Sequence, residues 1–157
     1  MRKSGAKAAI CHEGKILLVL RDNIPTIAYP NKWNQPGGGI DDGESPTAAM
    51  TRELEEEIGL KNPDLVYAGT TTYSDKSLVH RFFCEVTDLQ FKNITLLSEG
   101  QRLQWFTLDE ALDLIDQDGY SPYFAVYLKM FTEDIRSFLN GTRDIEPTDT
   151  DLSVIVN

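Results

Sequence analysis

At 157 residues the chain predicts one domain, long enough to bury about two-thirds of the surface its unfolded form would expose. With 41% of residues apolar and 25% charged, the composition is globular and excludes a disordered or fibrous chain. The longest unbroken apolar run, residues 123–128, is too short for a membrane helix, which needs about 20. Fifteen basic against 25 acidic residues give a net charge of −10. That balance argues against broad capture of nucleic acid or an anionic membrane, and an anionic substrate would need a cation as go-between.

Residues 1–5 run straight into an apolar stretch without the apolar core and cleavage site of a signal peptide, so the default compartment is the cytoplasm. Residues 6–11 and 15–20 flank a short Gly-containing turn and read as a β-hairpin. Residues 21–35 read as a long polar loop. Pro36-Gly37-Gly38-Gly39 and Asp41-Asp42-Gly43 follow, with glycines that permit backbone conformations other residues resist. A helix is predicted over Pro46–Ile58, with Ser45 as N-cap, Pro46 in the first position and Gly59 as the stop. Residues 65–73 and 78–86, rich in Thr, Val, Tyr and Phe about a turn at 74–77, predict a second antiparallel pair.

Residues 103–107 read as a strand, a short helix starts at Asp109, and a longer one runs from Ser121-Pro122 to about Leu139, where Asn140-Gly141 ends it. Its Phe124, Leu128, Phe131, Ile135 and Phe138 recur at steps of four, three, four and three and make one core-packing stripe. Cys11 and Cys84 lie in apolar strands and in no Cys/His cluster, and read as buried free thiols. The domain is expected to span residues 1–141. In the tail, 142–157, residues 142–151 are polar and acidic and 152–156 apolar; the apolar part either adds a strand to the sheet or to a second subunit, or ends in disorder.

On a helix turning about 100° per residue, Glu53, Glu56 and Glu57 share an arc of about 100° while Glu55 points to the far side. Met50, Leu54 and Ile58 form the adjoining apolar stripe, so three carboxylates border a buried face. Like charges at i,i+3 and i,i+4 each cost a few tenths of a kcal/mol even when exposed. A hard divalent cation, which takes oxygen ligands and joins carboxylates to substrate phosphates, would neutralise them. A solvated acidic face with Arg52 paired to Glu56 is the alternative. A P-loop is excluded because Gly38-x₄-Gly43 is followed by Glu44 where Lys is required. An EF-hand fails because setting its Gly at Gly43 puts Gly38 at the first Asp.

Gly38, Glu44 and Arg52-Glu53-Leu54-Glu55-Glu56-Glu57-Ile58-Gly59-Leu60 match every specified position of the Nudix box across 23 residues. The box is a glycine, five residues, Glu, seven residues, then Arg-Glu-apolar-x-Glu-Glu-x-Gly-apolar. The chain strongly resembles a Nudix hydrolase of the compact MutT-like kind. Lys32-Trp33 before Pro36-Gly37-Gly38, and Ser98-Glu99-Gly100-Gln101 before Gln104-Trp105-Phe106, extend the likeness over about residues 5–140.

The resemblance implies an α/β fold, the Nudix α/β/α sandwich with a curved mixed β-sheet between helices. It implies hydrolysis of a nucleoside diphosphate linked to another group X, with water attacking phosphorus and Mg²⁺ or Mn²⁺ carrying charge. Glu53, Glu56 and Glu57 match metal ligands, and the Gly37 carbonyl a further one. Arg52 and Glu44 match the pair that holds Glu53 in position. Glu99 matches a loop glutamate that binds metal or deprotonates water, with Glu53 the competing base. Arg21 resembles an arginine that reaches phosphate. Gln35, where some relatives have an apolar base-pocket residue, offers an amide to a base or sugar, and Trp33 either stacks on a base or anchors the core.

The expected enzyme is therefore a metal-dependent nucleotide pyrophosphohydrolase, taking a nucleoside triphosphate to the monophosphate and pyrophosphate. ADP-ribose or another nucleotide sugar is placed second because the chain is short. A Nudix-like regulator that binds nucleotides without cleaving them is the reading from another class, and the intact set of Glu53, Glu56, Glu57 and Glu99 weighs against it. The expected partner is the nucleotide substrate, with the protein a monomer or a homodimer.

Overall fold

The computed structural model describes residues 3–153. Strands β1 (Ser4–His12) and β2 (Lys15–Leu20) join through Glu13 and Gly14, both at positive φ, 47° and 76°, as a two-residue hairpin turn requires. The hairpin is shorter than predicted: only Cys11 with Ile16 and His12 with Lys15 are paired. Beyond them the strands splay, and part of the expected loop fills the gap. β3 (Trp33–Asn34) pairs with β2, and β4 (Gly37–Gly39) pairs with β1. Three consecutive glycines carry no strand propensity, so β4 has no local signature.

Helix α1 (Pro46–Ile58) has the predicted bounds. Ser45 accepts from the Ala48 N–H, Pro46 opens the first turn, and Gly59 closes the helix at φ 68°. β5 (Leu65–Thr72) and β6 (Leu78–Glu85) form the second antiparallel pair, and β6 runs parallel to β1 from Leu78 beside Ser4 to Glu85 beside Cys11. α2 (Asp88–Asn93) is unpredicted. Its Thr87-x-x-Gln90 capping box is legible in the sequence, but the helix buries no side chain and so has no apolar period. β7 (Arg102–Thr107) lies antiparallel to β2, and α3 (Leu108–Asp113) follows.

The predicted long helix is two helices, α4 (Pro122–Met130) and α5 (Thr132–Leu139), broken at Phe131, where ψ is 20°. The Thr132 hydroxyl donates back to the Leu128 carbonyl, a bond that competes with the helical ladder and bends it. All five residues of the stripe remain buried.

Among the described residues the strands form one mixed sheet of eight, and alternation along each strand sorts its side chains to two cores. Ala6, Ala8, Ile10 and Phe82 pack beneath Met50, Leu54 and Ile58 of α1. Ala9, Cys11, Phe83 and Phe106 face α3, α4 and α5. This is the α/β/α sandwich expected. The two free thiols lie on opposite faces, and burial pushes both up to about 12. No helix among the described residues is long and apolar enough to cross a membrane.

In the tail a strand forms within the polar stretch, where none was predicted. β8 (Thr148–Asp151) lies parallel to β5 at the sheet edge, where exposed polar side chains are suited. Gly69, at φ 108°, makes this possible, since a Cβ there would sit 1.8 Å from the Thr148 carbonyl oxygen. Arg81 donates to that carbonyl at 2.7 Å while its guanidinium lies 3.9 Å over the Phe131 ring. Leu152 is buried; residues 154–156 of the apolar segment lie outside the described residues.

Candidate active site

The splay of β1 from β2 opens a cleft of about 610 Å³ into which α1 presents Glu53, Glu56 and Glu57. Glu55 is exposed and not part of its wall. Arg52 organises the rim. Its Nε and Nη2 bind the two oxygens of Glu44 at 2.7 and 2.9 Å, Nη1 donates to Glu53 at 2.9 Å and Glu56 at 3.3 Å, and Nη2 reaches the Gly39 carbonyl at 3.0 Å. A planar fork can serve these acceptors at once where a lysine could not. The Arg52 hydrogen bonds hold Glu44 down at about 2.

Glu57 lies deeper and accepts from the Gly37 N–H at 3.2 Å. Burial pushes its carboxyl up to about 8 against the pull of the Lys7 ammonium, and the neighbouring Glu53 adds to the rise. Glu53 itself packs directly on Gly38, where an added Cβ would fall 2.6 Å from its carboxyl carbon. Hard oxygen donors gathered against a glycine backbone, one of them keeping its proton near neutrality unless a cation replaces it, fit Mg²⁺ or Mn²⁺. Gly38→Ala is accordingly expected to displace the Glu53 carboxylate and weaken Mn²⁺ binding about tenfold or more. The melting temperature should shift little, because the clash is with a side-chain end; Mn²⁺ titration alongside thermal melting checks both.

Glu99 reaches the cleft because its loop caps α1. The N–H groups of Thr95 and Leu97 donate to the carbonyls of Ile58 and Glu57 at 3.1 and 3.0 Å, and the Ser98 hydroxyl to that of Glu56 at 3.4 Å, satisfying acceptors a helix end leaves free. Gly100, at φ 98°, tucks against Val19 and Leu20. Glu99 is thus left exposed in the cleft wall.

Arg21 and Gln35 also line the cleft, Arg21 anchored through its Nε to the Ala28 carbonyl at 2.9 Å. Trp33 does not. It is buried, with its ring edge-on to Phe106 at 5.1 Å, so of its two readings the core anchor holds and the base-stacking one is corrected. The sequence reading missed Lys7, which lines the cleft and donates to the carbonyls of Gln35 and Gly37 at 3.3 and 3.2 Å. Its signal is a single lysine within an otherwise apolar strand.

A second cavity, about 360 Å³, adjoins the first and shares Lys7, Asn34 and Gln35 with it. Its walls include Tyr29, Tyr73 and Tyr123. The Tyr123 ring stands edge-on to both other tyrosines, and its hydroxyl donates to Asp75 at 2.7 Å. His12, Glu13 and Asp88 bring three potential ligand atoms within 4.8 Å of one another at the β1–β2 turn. None of the three lines the acidic cleft, and His12 is engaged by Asp88 at 2.9 Å and stacked on Phe91 at 4.2 Å.

The profile of the NUDIX domain family matches residues 1–126. The chain belongs to the Nudix family. Diphosphoinositol polyphosphate phosphohydrolase 3-alpha of Mus musculus is 29% identical to this Nudix chain over 119 residues, 74% of this chain and 68% of that protein. The RNA pyrophosphohydrolase of Tolumonas auensis is 40% identical over 78 residues, 50% of this chain and 41% of that protein. Among solved structures, the MutT protein from Methanosarcina mazei Go1 superposes with a TM-score of 0.64 at 22% identity, covering 85% of this chain and 94% of that one. A NUDIX hydrolase from Nitrosomonas europaea gives 0.71 at 17% identity, covering 96% and 79%. These structural likenesses carry the fold. The family match and the hydrolase relatives together make this Nudix protein a pyrophosphohydrolase, acting on phosphoric anhydrides.

Proposed function

We propose that this Nudix hydrolase is a divalent-metal-dependent nucleotide pyrophosphohydrolase converting a nucleoside triphosphate to the monophosphate and pyrophosphate. The observation that carries the nucleotide reading is the tyrosine-walled cavity opening beside the acidic cleft. Aromatic walls offer a flat apolar surface to a base, and the Asn34 and Gln35 amides, each both donor and acceptor, can meet its polar edge.

Glu53, Glu56, Glu57, Glu99 and the Gly37 carbonyl would hold Mg²⁺ or Mn²⁺, which supplies positive charge to phosphate oxygens and acidifies a bound water. The chain's own residues do the rest. Arg52, braced by Glu44, keeps the Glu53 carboxylate seated on Gly38, and Arg21 offers charge to the phosphate chain. Glu99, with Glu53 as competitor, takes a proton as the water oxygen bonds to phosphorus. The bridging P–O bond breaks and its electron pair leaves with pyrophosphate.

The test is a substrate panel of nucleoside triphosphates, nucleotide sugars and non-nucleotide organic pyrophosphates, incubated with Mg²⁺ and resolved by mass. Equimolar monophosphate and pyrophosphate, abolished by a chelator, is the expected result. Turnover confined to nucleotide sugars or to the non-nucleotide compounds would overturn the assignment.

A further inference from the structure

On β1 Lys7 alternates with Ala6 and Ala8, which pack under α1, so its half-buried side chain turns to the opposite face of the strand and into the walls of both cavities. Among the described residues it forms no ion pair. Its hydrogen bonds go to two neutral backbone carbonyls, both at more than 3.1 Å, leaving one of its three donors without an assigned acceptor. Of the three residues common to the walls of both cavities it alone is charged. Of the other cations nearby, Arg52 is committed to Glu44 and Glu53 and Arg21 in part to the Ala28 carbonyl, while Lys3 lines the second cavity only and is exposed.

In a chain of net charge −10, the cleft wall carries five acidic side chains, Asp22, Glu53, Glu56, Glu57 and Glu99. An anion crossing from one cavity to the other passes Lys7, and a compact point charge on a flexible stem suits a phosphate oxygen. We propose that Lys7 binds the substrate phosphate nearest the nucleoside. The base then lies among Tyr29, Tyr73 and Tyr123, and the phosphate chain runs past Lys7 into the acidic cleft toward Arg21 and Glu99. The direction of threading rests on the nucleotide reading; the phosphate contact of Lys7 does not.

The experiment compares wild type with Lys7→Met, Lys7→Gln and Lys7→Arg on a nucleoside triphosphate and on methyl triphosphate, which has the same phosphate chain and no base. Mn²⁺ affinity without substrate and thermal melting are read in parallel. KM should rise about 10- to 100-fold for both compounds in the Met and Gln variants, the loss of one charge-assisted hydrogen bond, with kcat changing much less and Lys7→Arg recovering part of the affinity. Mn²⁺ binding should hold or tighten, because a positive charge beside Glu57 is gone. Unchanged KM overturns the proposal. So does a Lys7→Gln protein that melts far below wild type and loses Mn²⁺ binding, which would assign Lys7 to the framework. Should wild type cleave only non-nucleotide pyrophosphates, the nucleotide reading falls, and the same KM comparison on that compound decides Lys7 by itself.

Discussion

Glu57→Gln should lower kcat/KM by at least about 100-fold, the scale expected on losing a metal-site carboxylate, and move the melting temperature by no more than about 3 °C. The side chain accepts from the Gly37 N–H through Oε1, and an amide oxygen preserves that bond. In the metal-free fold near neutrality the amide replaces a carboxyl that already keeps its proton, so the electrostatic change is small. The pH dependence tests this further. Glu57 is raised from 4.5 to about 8 in the metal-free fold. The stability its carboxyl contributes is therefore fully present below the unfolded value of 4.5 and lost as pH rises through about 8. Metal-free wild type should show that slope, and Glu57→Gln should lack it. A steep fall in melting temperature together with activity would make the cluster structural and remove the main support for a metal site.

Glu99→Gln should lower kcat by on the order of 10² to 10⁴ if Glu99 is the principal base, with a smaller effect on KM. The loop is held by the end carbonyls of α1 and by Gly100, none of which involves the Glu99 side chain, so the fold should not register the change. If Glu99 is instead a metal ligand, raising Mg²⁺ should recover part of the lost rate. Glu53→Gln is the comparison: its carboxylate is fixed by Arg52 and Gly38, the immobility a base would also need. kcat across a Mg²⁺ series for both variants separates the roles. A near-wild-type Glu99→Gln enzyme refutes both readings of Glu99 and returns the base to Glu53.

Helix α1 and its acidic face were legible because every determinant is local: Ser45, Pro46 and Gly59 set the bounds, and helical geometry fixes which glutamates share a side. What escaped depends on partners distant in sequence. β4 is a strand only because β1 offers Ala6 and Lys7 as neighbours across the sheet. Lys7 becomes notable only when β1 meets the turn at Gln35 and Gly37. The break at Phe131 hides inside an unbroken apolar period, since the stripe constrains the buried side while Thr132 acts on the backbone. β8, in the polar stretch of the tail, escaped because an edge strand needs backbone partners more than apolar side chains, and Gly69 with Arg81 supplied them.

The segment 33–39 is stitched to both arms of the split sheet, β3 to β2 and β4 to β1, with the Ala8 N–H reaching the Pro36 carbonyl between them. The floor of the cleft is thus sheet rather than loop, and its amides should exchange with solvent only when the sheet itself opens. The outer wall contributed by residues 22–32 is instead a connecting segment laid beside that floor. It can accept insertions and substitutions without disturbing the glutamates of α1 or the loop that carries Glu99, so a lineage built on this scaffold can change what it cleaves while leaving the means of cleavage untouched.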